Sequence, residues 1–579
     1  MNTARRQFSP RALLQALWPV LLPLVLSLVI YRDVASYKFV NFDDDLYVEQ
    51  NAHVMGGLTP ANLGWALSAR HGDVWVPATW WSFQLDAAVF GPDPGGFHRT
   101  NLVLHLLNVL LVFLIARRLG CRTFAATLVA ALFGAHPLNV EAVAWVTARK
   151  DVLMGVFLLG SVLAWLSLAG ARRTVVTGVL AVLAMMAKPA AVVLPLLLLL
   201  LSLWEDHRAP AAVPGRRPSW RADLPLLALL AVAAIGVSLV TVNFARTGEM
   251  GAPLAIGAGQ RVLDAAAGVG RYLARLAWPH NLAARYPEAG LRLAAPVAVA
   301  LGVLWPALTA LLVWKRRRAP LAALGWLWFL ACLLPSIGLV QGGQLPMGDR
   351  YVYLAAIGLW VPAAVALERA TAGRRALRVG AIIVAVVAVG MLAGSARKQT
   401  FAWRTGEDLW RHALAVTRDN DLAHQNLAVL LDAAGKPNEA LSHLDAAIAI
   451  HPRSETNFNK ANILAALGRG AEAEECYRAA LRLNPGFCEA SQNLGSLLGM
   501  QGRLDEARAV LLAAAGRRPN LASLQYNLAV VAARQGDRAE AAARCRRTLE
   551  LDPSHEGARD LLAIVTAAAE RAPAPAPAR

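Results

Sequence analysis

The feature that most constrains this chain is a succession of long apolar runs up to about residue 397, each broken by a short basic cluster. A helix crosses the hydrocarbon core with roughly 20 mostly apolar residues. Runs of that kind lie near 12–31, 98–116, 124–145, 152–170, 174–187, 190–204, 223–243, 292–314, 320–340, 351–368 and 377–395. The expectation is therefore about eleven spans, with the pair around Lys188-Pro189 forming either two short crossings or one broken hairpin. The first run follows Arg5, Arg6 and Arg11. Its length, and the lack of a small-x-small cleavage pattern after it, mark it as a span and not a leader.

The 579 residues are 56% hydrophobic and 17% charged, with a net charge of +18. Much of the excess lies in Arg117-Arg118-Arg122, Arg172-Arg173, Arg216-Arg217-Arg221, Lys315–Arg318 and Arg374-Arg375-Arg378, between apolar runs. Clusters in alternate loops anchor topology by the positive-inside rule. They put the N-terminus in the cytoplasm and the loops 32–97 and 244–291 outside. With eleven spans, the C-terminal part is also outside. Charge distributed in this way does not require nucleic acid, and no nucleic-acid-binding motif is present. Five cysteines without a CxxC give no metal framework.

After residue 397 the chain becomes periodic. Gly435, Gly468, Gly502 and Gly536 recur at intervals of 33, 34 and 34. The same intervals separate Ala440, Ala473, Ala507 and Ala541, and likewise Asn426, Asn459, Asn493 and Asn527, and Pro452, Pro485, Pro519 and Pro553. Helix, glycine turn, helix and terminating proline, with small residues where the helices approach, is the tetratricopeptide (TPR) pattern. The expected solenoid covers 404–570, with repeats near 421–454, 454–487, 488–521 and 522–555, a partial repeat before them and a capping helix after. The alanine-proline tail 571–579 reads as disordered. A TPR groove serves peptide or protein binding, or else the array packs as a scaffold.

Chemistry has several candidate locations in the outer loops. Asp43, Asp44 and Asp45 sit in "FVNFDDDLYVEQNAHV", and adjacent carboxylates raise one another's pKa, which suits a general base or a cation site. His98, Asn101, His105 and Asn108 share one helix face in "FHRTNLVLHLLN". That stripe lines a wet cavity or joins helices by hydrogen bonds. "FGAHPLNVEAVAWVTARKDVLMG" brings His136, Glu141, Arg149, Lys150 and Asp151 to the same side. Lys188, and Asp349 with Arg350 in "QGGQLPMGDRYVYL", join them. Acids there would activate a hydroxyl, and Lys or Arg would hold a lipid phosphate. Each cation alone is equally an interfacial anchor.

At these residues the chain resembles the transmembrane-and-TPR O-mannosyltransferases and their bacterial relatives, within the GT-C glycosyltransferase superfamily. The resemblance rests on Asp43-Asp44, "PATWWSFQLD", "GFHRTNLVLH", "FGAHPLNVEAVAWVTARKDVL", "AKP" at 187–189, "DRYVYLAAIG" and the repeats, in that order along nearly the whole chain. It implies an all-α GT-C-like membrane bundle over 1–397 followed by a TPR solenoid. It also implies an inverting transfer of a sugar from a polyprenyl-phosphate carrier to Ser or Thr of an extracytoplasmic protein. On that reading Asp43 and Asp44 are the catalytic carboxylates, and the acidic triplet leaves their register open by one. Arg350, Lys188, Arg149 and Lys150 bind the donor phosphate. Asp45, His98, Asn101, His105, His136, Glu141 and Asp151 line the site. No cofactor or metal is expected, although the triplet leaves a divalent cation open. Val76 stands where relatives carry His or Arg, and Pro189 replaces an acidic residue of the animal members, so substrate choice does not carry over. Two other readings remain: an inactive membrane-anchored TPR scaffold, and a transferase acting on glycan or lipid acceptors. The Ala-, Arg- and Leu-rich composition suggests a high-GC bacterium, with the bundle in the inner membrane and the repeats periplasmic.

Overall fold

The computed structural model describes residues 10–69, 74–208, 219–247, 257–287, 291, 293–339 and 347–570. Arg5, Arg6, Arg216, Arg217, the stretch 341–346 and the tail 571–579 lie outside the described residues. Every regular element among those described is helical. The chain divides into two compact units, Met1–Arg418 and Asp419–Arg579.

Among the described residues of the first unit, eight helices are long and apolar enough to cross a membrane: Trp18–Ser36, Pro94–Arg118, Val146–Ser167, Gly170–Ala187, Pro189–Asp206, Trp220–Phe244, Ala295–Arg317 and Arg375–Trp403. Thr123–Ala135 and Pro137–Ala144 make a ninth only as one span bent by 54° at His136. This corrects the expectation of eleven. The runs at 320–340 and 351–368 yield helices Pro320–Leu333 and Ile357–Ala370, each of 14 residues. At 1.5 Å per residue each reaches only about 21 Å. Pro335 and Gly338 end the first run, and the turn Asp349–Val352 uses the start of the second. The two short helices pack together through glycines. A Cβ on Gly325 would come within 2.0 Å of the Gly358 carbonyl oxygen, so the backbones touch there. The break at Lys188-Pro189 separates two helices that each pass the length test, as two crossings require.

Both long loops contain helices among their described residues. In 32–97, helix Pro77–Phe90 packs Trp80 and Phe83 against Tyr47, Val48, Val54 and Phe97. In 244–291, helix Ala258–Ala277 buries Ala265, Ala266, Val269 and Tyr272 and exposes Val262.

The second unit is the expected repeat array, with helix pairs Asp421–Ala433 and Pro437–Ile450, Ser454–Ala466 and Gly470–Leu483, Cys488–Met500 and Leu504–Arg517, and Ala522–Arg534 and Arg538–Leu551. Glu556–Glu570 follows as the cap. Gly435 has φ of 73°, and the Lys436 N–H closes on the Leu431 carbonyl at 2.8 Å, a Schellman ending that needs a residue in the left-handed region. The other three turn glycines have the same sign of φ. Ala440, Ala473, Ala507 and Ala541 are fully buried, as close helix approach demands. Helix Gly406–Val416, expected as a partial first repeat, belongs to the first unit.

Candidate functional site

Four chain segments of the first unit meet at one place: the acidic loop, the stretch 141–151, the Ala187-Lys188 helix end and the turn Asp349–Val352.

The acidic triplet splits into three different environments. Asp44 is fully buried. Its Oδ2 accepts the Val40 N–H at 3.1 Å, and its Oδ1 accepts the Thr147 N–H at 2.9 Å and the Thr147 hydroxyl at 2.6 Å. Burial pushes its carboxyl up to about 7, the three donors oppose that, and Asp43 adds to it. Asp44 is thus a tie between the loop and the segment that launches helix Arg149–Ser167. Asp43, next to it, is exposed and holds φ of 74°, a left-handed conformation uncommon outside glycine. Such strain concentrates at functional positions. Asp45 is half-exposed and opens the single π-helical turn Asp45–Glu49.

Arg149, Lys150 and Asp151 also diverge. The Arg149 guanidinium is wholly buried and spent inside the protein. It pairs with Asp86 at 2.5 Å, donates to the Phe97 carbonyl at 2.9 Å and to the Ser82 hydroxyl at 2.5 Å, and bonds Asn101. The expectation that Arg149 holds a donor phosphate is corrected: no donor of its fork faces outward. Lys150 is half-buried, its ammonium 4.7 Å from the Tyr47 ring centre and 5.8 Å from that of Trp145. No carboxylate lies within ion-pair distance of it among the described residues. Asp43, Arg350, Lys188 and Asp151 all act on its charge. Asp151 receives Lys188 Nζ at 2.5 Å, and its other oxygen stands 4.0 Å from Arg350 Nε.

Arg350 is gripped by Glu141, which accepts the Arg350 backbone N–H at 3.0 Å and pairs with the guanidinium. That guanidinium also faces the rings of Trp145 and Tyr351, each at 4.9 Å. Lys188 lies 5.5 Å from the Tyr351 ring centre. The fold brings Glu141, Asp151, Lys188 and Arg350 into contact, sets Lys150 and Arg350 on the same Trp145 ring, and leaves Asp43 within electrostatic reach of Lys150.

The helix stripe is buried inside the protein. Asn101 Nδ2 donates to the Trp145 carbonyl at 2.9 Å while its oxygen holds Arg149. His105 Nδ1 bonds the Tyr353 hydroxyl at 2.8 Å, and Asn108 donates to the Val152 carbonyl at 2.8 Å. His98 is buried, with Nε2 3.4 Å from the Lys38 carbonyl. His136 faces the Leu276 carbonyl at 3.1 Å. These residues are packing and hydrogen-bonding groups, so the site-lining expectation for His98, Asn101, His105 and His136 is corrected. An amphipathic face meets this fate whenever a neighbouring helix covers it.

Several supporting residues escaped the sequence reading. The Thr79 hydroxyl, in "PATWW", donates to the Ala187 carbonyl at 2.8 Å and so fixes the helix end that carries Lys188. Asp349 accepts the Tyr286 hydroxyl at 2.9 Å and pairs with Arg275 at 3.1 Å. Its carboxyl is pushed up to about 7 by burial; Arg275 opposes this and Glu141 adds to it. Tyr272 bonds the Gly348 carbonyl at 3.2 Å. The segment 272–286 therefore clamps the turn that presents Arg350. No local signal separates these tyrosines from ordinary core residues.

The donor set is mixed. Glu141 and Asp151 each face a cation, and no group of three or more His, Cys, Asp or Glu among the described residues is arranged to hold a metal ion. Such a set can grip an anion and take a proton at Asp43.

Tetratricopeptide-repeat family models match residues 454–487, 476–509 and 493–556. Protein O-mannosyl-transferase Tmtc2 of Drosophila melanogaster is 36% identical over 151 residues, which is 24% of this chain and 16% of that protein. Tmtc1 of the same organism is 36% identical over 135 residues, 22% of this chain and 16% of that protein. Over these stretches the chain is similar to protein O-mannosyl-transferases. Human TMTC4 extends the match to 192 residues at 28% identity, covering 28% of this chain and 25% of that protein. This chain spans between a sixth and a quarter of those relatives' length, a smaller share than the run of shared motifs suggests. Among solved structures, YrrB, titled a TPR protein with an unusual peptide-binding site, aligns over 31% of this chain and 90% of its own at 20% identity and a TM-score of 0.25.

Proposed function

We propose that this chain is an inverting membrane glycosyltransferase. It moves a sugar from a polyprenyl-phosphate carrier to a Ser or Thr hydroxyl of an extracytoplasmic protein, and the TPR array binds that acceptor or a partner. The observation that carries the reading is the convergence of Lys150, Lys188 and Arg350, from three separate segments, with the exposed carboxylate of Asp43. Asp43 takes the proton of the acceptor hydroxyl. The hydroxyl oxygen forms the new bond at the anomeric carbon from the side opposite the leaving group. The carbon–oxygen bond to the phosphate breaks, and polyprenyl phosphate leaves with the electron pair. Lys150, with no paired carboxylate, meets the growing phosphate charge most directly, and Lys188 and Arg350 flank it. Glu141 and Asp151 keep those two cations in place. The names of the relatives support a mannosyl unit and a protein acceptor. The aqueous face that carries the site is the periplasmic one if the source is bacterial.

The test uses purified full-length protein in nanodiscs with polyprenyl-phosphate mannose and a Ser/Thr-containing acceptor protein. Transfer by the wild type is expected. Lys188→Met is expected to weaken it about 10- to 100-fold, the value of a charge-assisted contact. Transfer to glycan or lipid alone would remove the protein acceptor, and no transfer from any polyprenyl-phosphate sugar would leave a scaffold.

A further inference from the structure

The end of the last span and the segment that follows it do not simply lead to the repeats. The Arg397 guanidinium donates to the Ile30 carbonyl at 3.0 Å and pairs with Asp33. The Tyr37 hydroxyl meets the Thr400 hydroxyl at 3.1 Å, and the Lys38 N–H donates to the Arg404 carbonyl at 3.0 Å. The Trp410 indole N–H donates to the Asn41 side-chain oxygen at 2.8 Å. Asn41 is two residues from Asp43.

An aromatic stack backs this line. Phe42 lies against Trp145 at 4.7 Å with 23° between the rings, and meets Trp410 edge-on at 5.4 Å. Trp145 in turn stacks on Trp403 at 5.9 Å. Trp403 and Trp410 are both fully buried. The other side of the same segment reaches the clamp on Asp349: His412 bonds the Leu282 carbonyl at 2.9 Å, and Gln399 reaches it at 3.3 Å. Leu282 precedes the Ala283–Tyr286 turn, whose tyrosine holds Asp349.

We propose that this strap, Arg397–Val416, belongs to the transferase unit and that Trp410 is a positioning residue for Asp43. The inference rests on the reading of Asp43 as base. Asp43 is on a strained, exposed turn, and a turn of that kind stays in place only when its neighbours over-determine it. Asp44 holds the turn from beneath, through Thr147. Trp410 holds it from the side, through Asn41 and Phe42. An error of about 1 Å at a reacting group costs on the order of 100-fold in rate, so a side chain that touches no substrate can still govern turnover.

The test uses Trp410→Phe, which keeps a ring against Phe42 and removes the indole donor, Asn41→Leu, which removes the acceptor, and the double variant, all in the full chain in nanodiscs. Two measurements are made. Hydrogen exchange over residues 38–47 is expected to accelerate in each variant. The kcat is expected to fall about 10- to 100-fold while the KM for polyprenyl-phosphate sugar stays within about twofold, and the double variant is expected to be no worse than either single one. Unchanged exchange over 38–47, a parallel rise in donor KM, or additive losses would each overturn the proposal. If exchange accelerates while the wild type transfers no sugar, the strap stands and the transferase reading fails.

Discussion

Asp43 and Asp44 are neighbours with opposite expected phenotypes. Asp44→Ala removes the acceptor of two buried backbone N–H groups, those of Val40 and Thr147, and of one hydroxyl. The hydroxyl can turn elsewhere, but the two amides cannot. A buried donor left unsatisfied costs about 1–3 kcal/mol. Removing a desolvated carboxylate returns part of that, so the net loss is about 1–4 kcal/mol. Asp43→Asn removes no contact of comparable burial, because its side chain is exposed. On the proposed mechanism it removes the base, worth about 100- to 10,000-fold in rate. The assay pairs thermal unfolding, followed by tryptophan fluorescence in nanodiscs, with sugar transfer by the same preparations. Asp44→Ala is expected to melt several degrees lower, with activity lost in proportion to unfolded protein. Asp43→Asn is expected to melt with the wild type and transfer almost nothing. The reverse pattern, a stable inactive Asp44→Ala beside an active Asp43→Asn, would refute both the burial argument and the choice of base.

Arg149→Met leaves Asp86 buried with only Thr100 and no cation, so stability is expected to fall by about 3–5 kcal/mol; melting reads this out, and surviving folded protein should keep its donor KM. The carboxyls of Asp44 and Asp349 are both pushed up to about 7. Their protonated forms suit the folded state, so the stability they contribute is complete below about pH 4 and is lost as pH rises through about 7. Melting of the wild type should therefore fall more between pH 5 and pH 8 than that of Asp44→Asn, which cannot titrate there. Gly325→Ala would drive a methyl group into the Gly358 carbonyl; backbone cannot yield as a side chain does, and a loss of at least about 1–3 kcal/mol is expected from melting.

What was legible in the sequence follows from what each signal depends on. The repeats were readable because each glycine, alanine and proline answers a local need repeated four times, a left-handed turn, a close approach or a helix end. The spans were readable where a helix is long and straight. They were miscounted at 320–340 and 351–368, because hydropathy does not register the Pro335 turn or the glycine contact between Pro320–Leu333 and Ile357–Ala370. Thr79, Tyr286 and Arg275 were invisible because their partners, Ala187 and Asp349, are distant in the chain.

The site itself shows why motif residues cannot be given roles as a block. Arg149, Lys150 and Asp151 open one helix, and consecutive residues on a helix point about 100° apart. Three adjacent charges therefore cannot serve one ligand. Arg149 turns into the protein, which is tolerable only because Asp86 is there to meet it. Asp151 turns to Lys188, and Lys150 alone is left over aromatic rings with its charge unpaired by a carboxylate. The same division separates buried Asp44 from exposed Asp43. In each run the group paired in the interior secures the segment and fixes the place of its neighbour, exposed Asp43 in one and half-buried Lys150 in the other. A substitution that exchanged the two residues, Arg149→Lys with Lys150→Arg, would keep the motif's charge and lose the buried tie, because Lys lacks the planar fork that reaches Asp86, Phe97 and Asn101 together.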